Sequence, residues 1–255
     1  MAHTVSALPA EFLERLRTLV PPGQWEAITK TFTTPPPTTF RVNTLKASPD
    51  TIRRQLEAEG FKLEPVPWYP AAFVVRQGRL RDLQATACYQ RGELYVQSLS
   101  SMLPPLVLDP QPGESVLDLT AAPGSKTLQI ACLMQGRGRI VANDKDRVRF
   151  YKLRANLELQ GAQNVEPTCR PGELFGKTHP GTFDRVLVDA PCSAEARFQV
   201  REPASYGYWK PRKIHEMVHK QRKLLRAGLQ ALKPGGVLVY ATCTFAPEEN
   251  EGVID

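Results

Sequence analysis

The sequence predicts an α/β protein in which a doubly wound, parallel sheet is preceded by a small α+β module. Three observations carry this. From Ser115 onward, short apolar runs alternate with helical stretches, the pattern of parallel strands joined by crossover helices. Before Ser115, helix and strand signals follow at shorter spacing, broken by Pro21-Pro22-Gly23 and Pro35-Pro36-Pro37. Apolar residues make up 42% of the chain and charged residues 23%, which supplies a core and excludes disorder throughout.

The elements follow in order. Phe12, Leu13, Leu16, Leu19 and Val20 share a helical stripe between Pro9 and Val20. A second short helix around Trp25 to Phe32 runs into the triple proline, a stiff linker, and Thr39 to Leu45 is β-prone. Ser48-Pro49-Asp50 reads as a helix start, with Ser48 as cap and Pro49 in the first helical position, and Gly60 ends that helix. Strands near Phe61 to Val66 and Ala72 to Val75 complete a module assigned to residues 1–90, leaving 91–255 as the second domain. There the strands are Val116-Leu117, Ile140-Val141-Ala142, Val186-Leu187-Val188 and Val237-Leu238-Val239-Tyr240, with a further strand before Cys169. Helices are expected at Lys126 to Met134, Arg147 to Leu159 and Pro211 to Leu232, with stops at Gly136, Gly161 and Lys233-Pro234-Gly235-Gly236.

Lys plus Arg number 33 against 26 Asp plus Glu, a net charge of +7 that favours a polyanionic partner. No apolar run is long enough to span a membrane, and MAHTVSALPA lacks the regions of a secretory leader. The five cysteines and four histidines show no metal-ligand spacing, so neither a metal site nor a disulfide framework is expected. Free thiols point to a reducing cytosol, and Cys88, Cys132 and Cys169 are expected as small buried hydrophobes.

The chemistry concentrates at strand ends. In Val116-Leu117-Asp118-Leu119-Thr120-Ala121-Ala122-Pro123-Gly124-Ser125-Lys126, a strand enters a small-residue loop and then a helix, the form of a nucleotide-site loop. Asp144 closes the next strand twenty residues beyond Gly124, the offset of a carboxylate on a ribose. A phosphate-binding P-loop is excluded, because Ser125 and Thr120 stand where it needs glycines. With no second glycine before Gly124, a mononucleoside cofactor suits the loop better than a dinucleotide, and S-adenosylmethionine meets that description. Two later strands run into Asp189-Ala190-Pro191-Cys192-Ser193 and Ala241-Thr242-Cys243-Thr244, so each leads to a thiol at the carboxyl end of the sheet, where open α/β sheets bind ligands. Carbon 5 of a pyrimidine is a weak nucleophile until a thiolate adds at carbon 6, and a carboxyl group at ring nitrogen 3 stabilises the charge that develops.

The segments DLTAAPGSKTLQIA, VANDKDRVR, FDRVLVDAPCS and YATCTFAPEENE, with RVNTLK and YVQSLSSMLP upstream, resemble the RNA 5-methylcytosine methyltransferases of the Sun/RsmB/RsmF family, in wording closest to RsmF-like members. The resemblance implies a Rossmann-like methyltransferase domain that uses S-adenosylmethionine, an N-terminal RNA-binding module, and ribosomal or transfer RNA as partner. It implies Cys243 as nucleophile, Cys192 as the thiol that helps release product, Asp189 on the target cytosine and Lys126 on the base or adduct. Thr120, Ala121, Ala122, Pro123, Gly124, Ser125, Lys126, Asp144, Arg149 and Asp189 would hold the cofactor, Arg149 having a surface ion pair as its alternative.

Three features depart from the family pattern. Pro171 stands where an acidic residue is usual near the adenine, and Ala194-Glu195-Ala196 replaces glycines after Cys192-Ser193, stiffening that loop. The chain also stops at Asp255, just after a helix-like start at Pro247-Glu248-Glu249, and is expected to be a fragment. Lys210, Arg212, Lys213, Lys220, Arg222, Lys223 and Arg226 share one helix and would either track RNA phosphates or form a solvated outer face. Phe40 and Arg41 are candidates for stacking on or pairing with RNA, with a core role as the alternative. Two function classes therefore follow: an RNA cytosine-5 methyltransferase, or a non-catalytic RNA-binding or assembly factor that keeps the fold.

Overall fold

Local sequence decides most elements of the computed structural model, which describes residues 4–255. In chain order they are α1 (Ala10–Leu19), α2 (Trp25–Thr31), β1 (Thr39–Val42), α3 (Pro49–Ala58), β2 (Lys62–Pro65), β3 (Ala72–Gln77), α4 (Leu80–Ala85), α5 (Ala87–Gln90), β4 (Leu94–Val96) and α6 (Leu99–Leu108). They continue as β5 (Ser115–Asp118), α7 (Ser125–Leu133), β6 (Arg139–Asn143), α8 (Arg147–Gln160), β7 (Val165–Thr168), α9 (Phe175–Thr178), β8 (Phe183–Asp189), α10 (Pro211–Ala231), β9 (Leu232–Ala241) and α11 (Glu251–Ile254). Ser48 caps α3 as expected, its Oγ accepting from the Thr51 N–H at 3.2 Å. Among the described residues no helix is long and apolar enough to cross a membrane.

The chain forms two compact units, each described by itself. One consists of residues up to Pro36 together with Ala190–Lys223 and Thr242–Asp255; the other of Pro37–Asp189 and Leu224–Ala241. The second unit contains both sheets. Five parallel strands run in the order β7-β6-β5-β8-β9, the doubly wound arrangement whose order reverses between β5 and β8. Leu128, Ile130, Leu153 and Leu157 of α7 and α8 pack with Val116, Ile140 and Ala142 of the strands. The smaller antiparallel sheet runs β2-β3-β1-β4. One side of it packs on Ile52 and Leu56 of α3, and Val66 and Val74 pack with Met102 of α6.

The other unit is built on aromatic rings. Phe12 is 1% exposed and meets Phe32, Phe198 and Trp209 edge-on at centroid distances of 5.7, 4.8 and 5.7 Å. The α1 stripe therefore covers the segment that follows Cys192.

Several expectations change. The strand expected to reach Leu45 ends at Val42, because Asn43 turns the chain: its Oδ1 accepts from Leu45 N–H at 3.1 Å and its amide donates to the carbonyls of Gly92 and Gln160 at 2.9 and 2.7 Å. Residues 233–236, expected as a stop, lie within β9 as a bulge, since pairing passes from Phe183↔Leu232 to Arg185↔Val237. Cys88 and Cys132 are buried, whereas Cys169, beyond the end of β7, is exposed.

Phe40 and Arg41 do not face RNA, because both are fully buried. Phe40 stacks on Phe73 at 5.5 Å. The Arg41 guanidinium donates from Nε to Gln97 Oε1 at 2.9 Å and from Nη2 to the Ser125 carbonyl at 3.2 Å, and lies 5.5 Å from the centre of the Tyr95 ring. It ties the small sheet to the start of α7. On α10, Ile214, Met217, Gln221, Leu224 and Leu225 are buried while Arg212, Lys220, Arg222, Lys223 and Arg226 are exposed, so the basic run is the solvated face of an amphipathic helix.

Candidate active site

The loop between β5 and α7 is shaped by its own backbone. Ala121 and Ala122 are buried, the Ala122-Pro123 peptide is cis, and Gly124 sits at φ +111, where a Cβ would meet Leu153 Cδ1 at 3.0 Å. Helix α8 fastens the loop carbonyls: Arg149 Nη2 donates to Ala122 O at 2.5 Å and Asn156 Nδ2 to Pro123 O at 2.8 Å. Asp144, 5% exposed, accepts from Asp146 N–H at 3.0 Å and from Ala122 N–H at 3.3 Å, and is paired with Arg149 at 3.3 Å. Arg149 is thereby both an ion-pair partner and a brace on the loop.

Asn143 is a residue that sequence reasoning missed. Its amide donates to Leu119 O and Arg170 O at 3.2 and 3.0 Å, and its Oδ1 accepts from Thr168 Oγ1 and Arg170 N–H at 3.0 Å each. One buried side chain thus fixes the exits of three strands, including the segment with Pro171, which is exposed. The available signal was an amide directly before Asp144 at a strand end.

Lys126 lies in the first turn of α7 and is only 8% exposed. Its Nζ donates to Asp189 Oδ2 at 2.6 Å, and Thr120 Oγ1 donates to the Asp189 carbonyl at 2.8 Å. The loop and the end of β8 are joined at both groups of Asp189. Asp118, at the end of β5, accepts from Thr127 Oγ1 at 2.6 Å, and burial pushes its carboxyl up to about 7.

The two thiols come together although 51 positions separate them, with the sulfurs 3.2 Å apart and the Cys243 N–H donating to Cys192 Sγ at 3.3 Å. Asp189 and Ala241 are register partners, which explains why short exits from β8 and β9 carry Cys192 and Cys243 alongside each other. Hydrogen bonding to Cys243, then burial, holds the Cys192 thiol well above its ordinary range. Tyr208, not anticipated from sequence, donates its phenol proton to Ser193 O at 3.3 Å; burial and the neighbouring thiols push its ionisation upward. Asn250 is a further missed residue, its amide donating to Thr244 O at 3.3 Å and Ala246 O at 3.1 Å.

The family model for 16S rRNA methyltransferase RsmB/F matches residues 105–255, and that for the N-terminal domain of 16S rRNA methyltransferase RsmF matches residues 8–99. The chain is 38% identical to the ribosomal RNA small subunit methyltransferase F of Pectobacterium carotovorum, over 98% of this chain and 52% of that protein. It is 43% identical to the tRNA (cytosine(49)-C(5))-methyltransferase of Pyrococcus abyssi, over 85% of this chain and 68% of that protein. A solved methyltransferase homolog from Pyrococcus horikoshii superposes with a TM-score of 0.81 at 35% identity, covering 97% of this chain and 81% of that one. The chain spans about half the length of the bacterial relatives it matches.

Proposed function

The chain belongs to the 16S rRNA methyltransferase RsmB/F family, and from that premise we propose that it methylates carbon 5 of a cytosine in ribosomal or transfer RNA, in the cytoplasm, through a cysteine adduct at carbon 6. The observation that carries this reading is the 3.2 Å approach of Cys192 and Cys243. Addition and release at one pyrimidine need a nucleophile and a proton acceptor at one place, and two thiols side by side can supply both.

The residues around the first loop suit S-adenosylmethionine. A buried carboxylate at the end of β6, Asp144, offers acceptors of the kind ribose hydroxyls require, and the wall of Ala121, Ala122 and Gly124 presents backbone rather than side chains. Thr120 to Lys126 and Asp144 would hold it, with Arg149 acting through its bonds to Ala122 and Asp144, and it would supply an electrophilic methyl group. Residues 1–90 would contribute RNA binding through their exposed surface rather than through Phe40 or Arg41.

The chain's own residues divide the work. Cys243 attacks carbon 6 as a thiolate, forming the sulfur–carbon bond and sending electron density toward ring nitrogen 3, where the Asp189 carboxyl group, carrying a proton, donates a hydrogen bond that stabilises it; Lys126, 2.6 Å from Asp189 Oδ2, fixes the orientation of that group. Carbon 5 is then nucleophilic enough to accept a methyl group. At 3.2 Å the two sulfurs disfavour each other's ionisation, so one thiolate forms at a time. Once Cys243 is bound to carbon 6 its charge no longer opposes ionisation beside it; Cys192 releases its proton to solvent and, as a thiolate, takes the proton from carbon 5, whose bonding pair re-forms the ring double bond as the sulfur–carbon 6 bond breaks and Cys243 leaves as a thiolate.

Bisulfite sequencing of host RNA with the gene intact and deleted identifies the methylated cytosine. On that RNA, Cys192→Ala accumulates a protein–RNA complex that survives denaturing electrophoresis, while Cys243→Ala and the double variant form none. The opposite pattern reverses the two roles, and full activity without either thiol refutes the covalent reading.

A further inference from the structure

Two buried carboxylates outside the reacting groups remain to be explained. Glu195 is 3% exposed and Glu249 fully buried, and each lies in the loop that follows one thiol. Their hydrogen bonds cross. Glu249, downstream of Cys243, accepts from the N–H of Ser193, the residue after Cys192, at 3.0 and 3.3 Å. It also accepts from Gln221 Nε2 at 2.8 Å, and the same Gln221 amide donates to the carbonyl of Pro191, the residue before Cys192, at 2.9 Å. Glu195, downstream of Cys192, accepts from Thr244 Oγ1 at 2.9 Å and Phe245 N–H at 3.0 Å, the two residues after Cys243. The crossing is closed by Ser193 Oγ and Thr244 Oγ1 at 2.7 Å and by the Ala196 N–H on the Cys243 carbonyl at 3.0 Å.

We propose that Glu195 and Glu249 are positioning residues that fix the separation of the two thiols, each holding the other thiol's loop. The inference rests on the methyltransferase reading for its purpose, since a shift of about 1 Å in reacting groups costs on the order of a hundredfold in rate. At Glu195 the donor pattern requires a carboxylate. Glu195 uses both oxygens as acceptors, Oε1 receiving the Trp209 indole N–H at 2.9 Å while Oε2 receives Thr244 and Phe245. A glutamine there would turn an NH₂ group toward one of these donors. Ala194 bears the same mark of constraint: it holds φ +60, a left-handed conformation unfavourable for an alanine that persists only where neighbours over-determine it.

The test measures thiol separation directly and needs neither RNA nor methyl donor. In the chain carrying Cys169→Ser, which removes the exposed thiol, the equilibrium between the reduced pair and the Cys192–Cys243 disulfide is measured in glutathione buffers, giving the effective concentration of one thiol toward the other. Glu195→Gln and Glu249→Leu, which removes the acceptors of Ser193 and Gln221, are each expected to lower it at least tenfold in protein that remains folded by circular dichroism. Should either variant fail to fold, Thr244→Val, which removes the hydroxyl shared by Ser193 and Glu195, lowers it likewise, and Thr244→Ser restores the parent value. A parent-like effective concentration in the folded variants, with only the melting temperature reduced, assigns these side chains to stability alone and overturns the proposal. Because the readout is independent of methylation, that result leaves the methyltransferase reading standing. Conversely, a failed methylation test leaves the clamp measurement intact.

Discussion

Replacing Asp118 with asparagine should change how the stability of the second unit depends on pH. Asp118 is 1% exposed and accepts from Thr127 Oγ1 at 2.6 Å, pinning the loop between β5 and α7 at its neck. Burial pushes its carboxyl up to about 7, with the Asp189 charge adding to the effect and the Thr127 hydrogen bond and Lys126 opposing it. In the unfolded chain the same group titrates at about 3.9. The folded protein therefore keeps a proton that the unfolded chain gives up between about pH 4 and pH 7, and stability falls as pH rises through that window. The contribution is fully present below about pH 4 and gone above about pH 7. Its size is about 4 kcal/mol, at about 1.4 kcal/mol for each unit of pKa difference.

Asparagine does not titrate and still offers Thr127 an acceptor. The stability difference between the Asp118→Asn variant and the parent should thus move in favour of the variant by up to about 4 kcal/mol from pH 4 to pH 8. Taking the difference removes the other groups. Asp184, held low chiefly by the Lys233 hydrogen bond, has the opposite slope, and so does Glu248, where burial is outweighed by the hydrogen bond and charge of Arg15. Glu249, raised by burial, has the same slope as Asp118. Urea unfolding of both proteins at half-unit pH steps measures the effect. Parallel stability profiles would show that Asp118 titrates as an exposed carboxyl and that the loop's neck is wet.

What the sequence made legible was whatever depends on short-range pattern. A strand running into Thr120–Ala121–Ala122–Pro123–Gly124 and then a helix is a local event, and so is the Ser48 cap. The pairing of Cys192 with Cys243 was legible because parallel neighbours β8 and β9 must deliver their exits to the same edge. Buried polar side chains were not legible. Arg41, Asn143, Glu195 and Glu249 are residue types that usually lie in water, and only partners distant in sequence reveal that they are buried and satisfied. Helix α6 was missed for a related reason, since Pro104 and Pro105 fall inside it. Pro105 cannot bond to the carbonyl of Ser101, but Gln97 Nε2 supplies that donor at 3.0 Å. Sequence pattern shows the broken hydrogen bond and hides its replacement.

Two further outcomes can be measured. Phe12→Ala removes a ring that three other aromatic side chains contact, and should cost about 3–5 kcal/mol, seen as a lower urea midpoint for the transition that reports Trp209 fluorescence. Asp144→Ala should weaken S-adenosylhomocysteine by about 1–3 kcal/mol in titration calorimetry. The carboxylate has two duties that this variant removes together, accepting from the ligand and holding Ala122 and Arg149. Arg149→Met separates them, because it releases the ion pair and the bond to the Ala122 carbonyl while leaving the acceptor in place. If Asp144 acts on the ribose, Arg149→Met retains most of the affinity that Asp144→Ala loses. Equal losses in the two variants would mean that Asp144 only shapes the loop, and unchanged affinity in Asp144→Ala would remove the residue from the cofactor site.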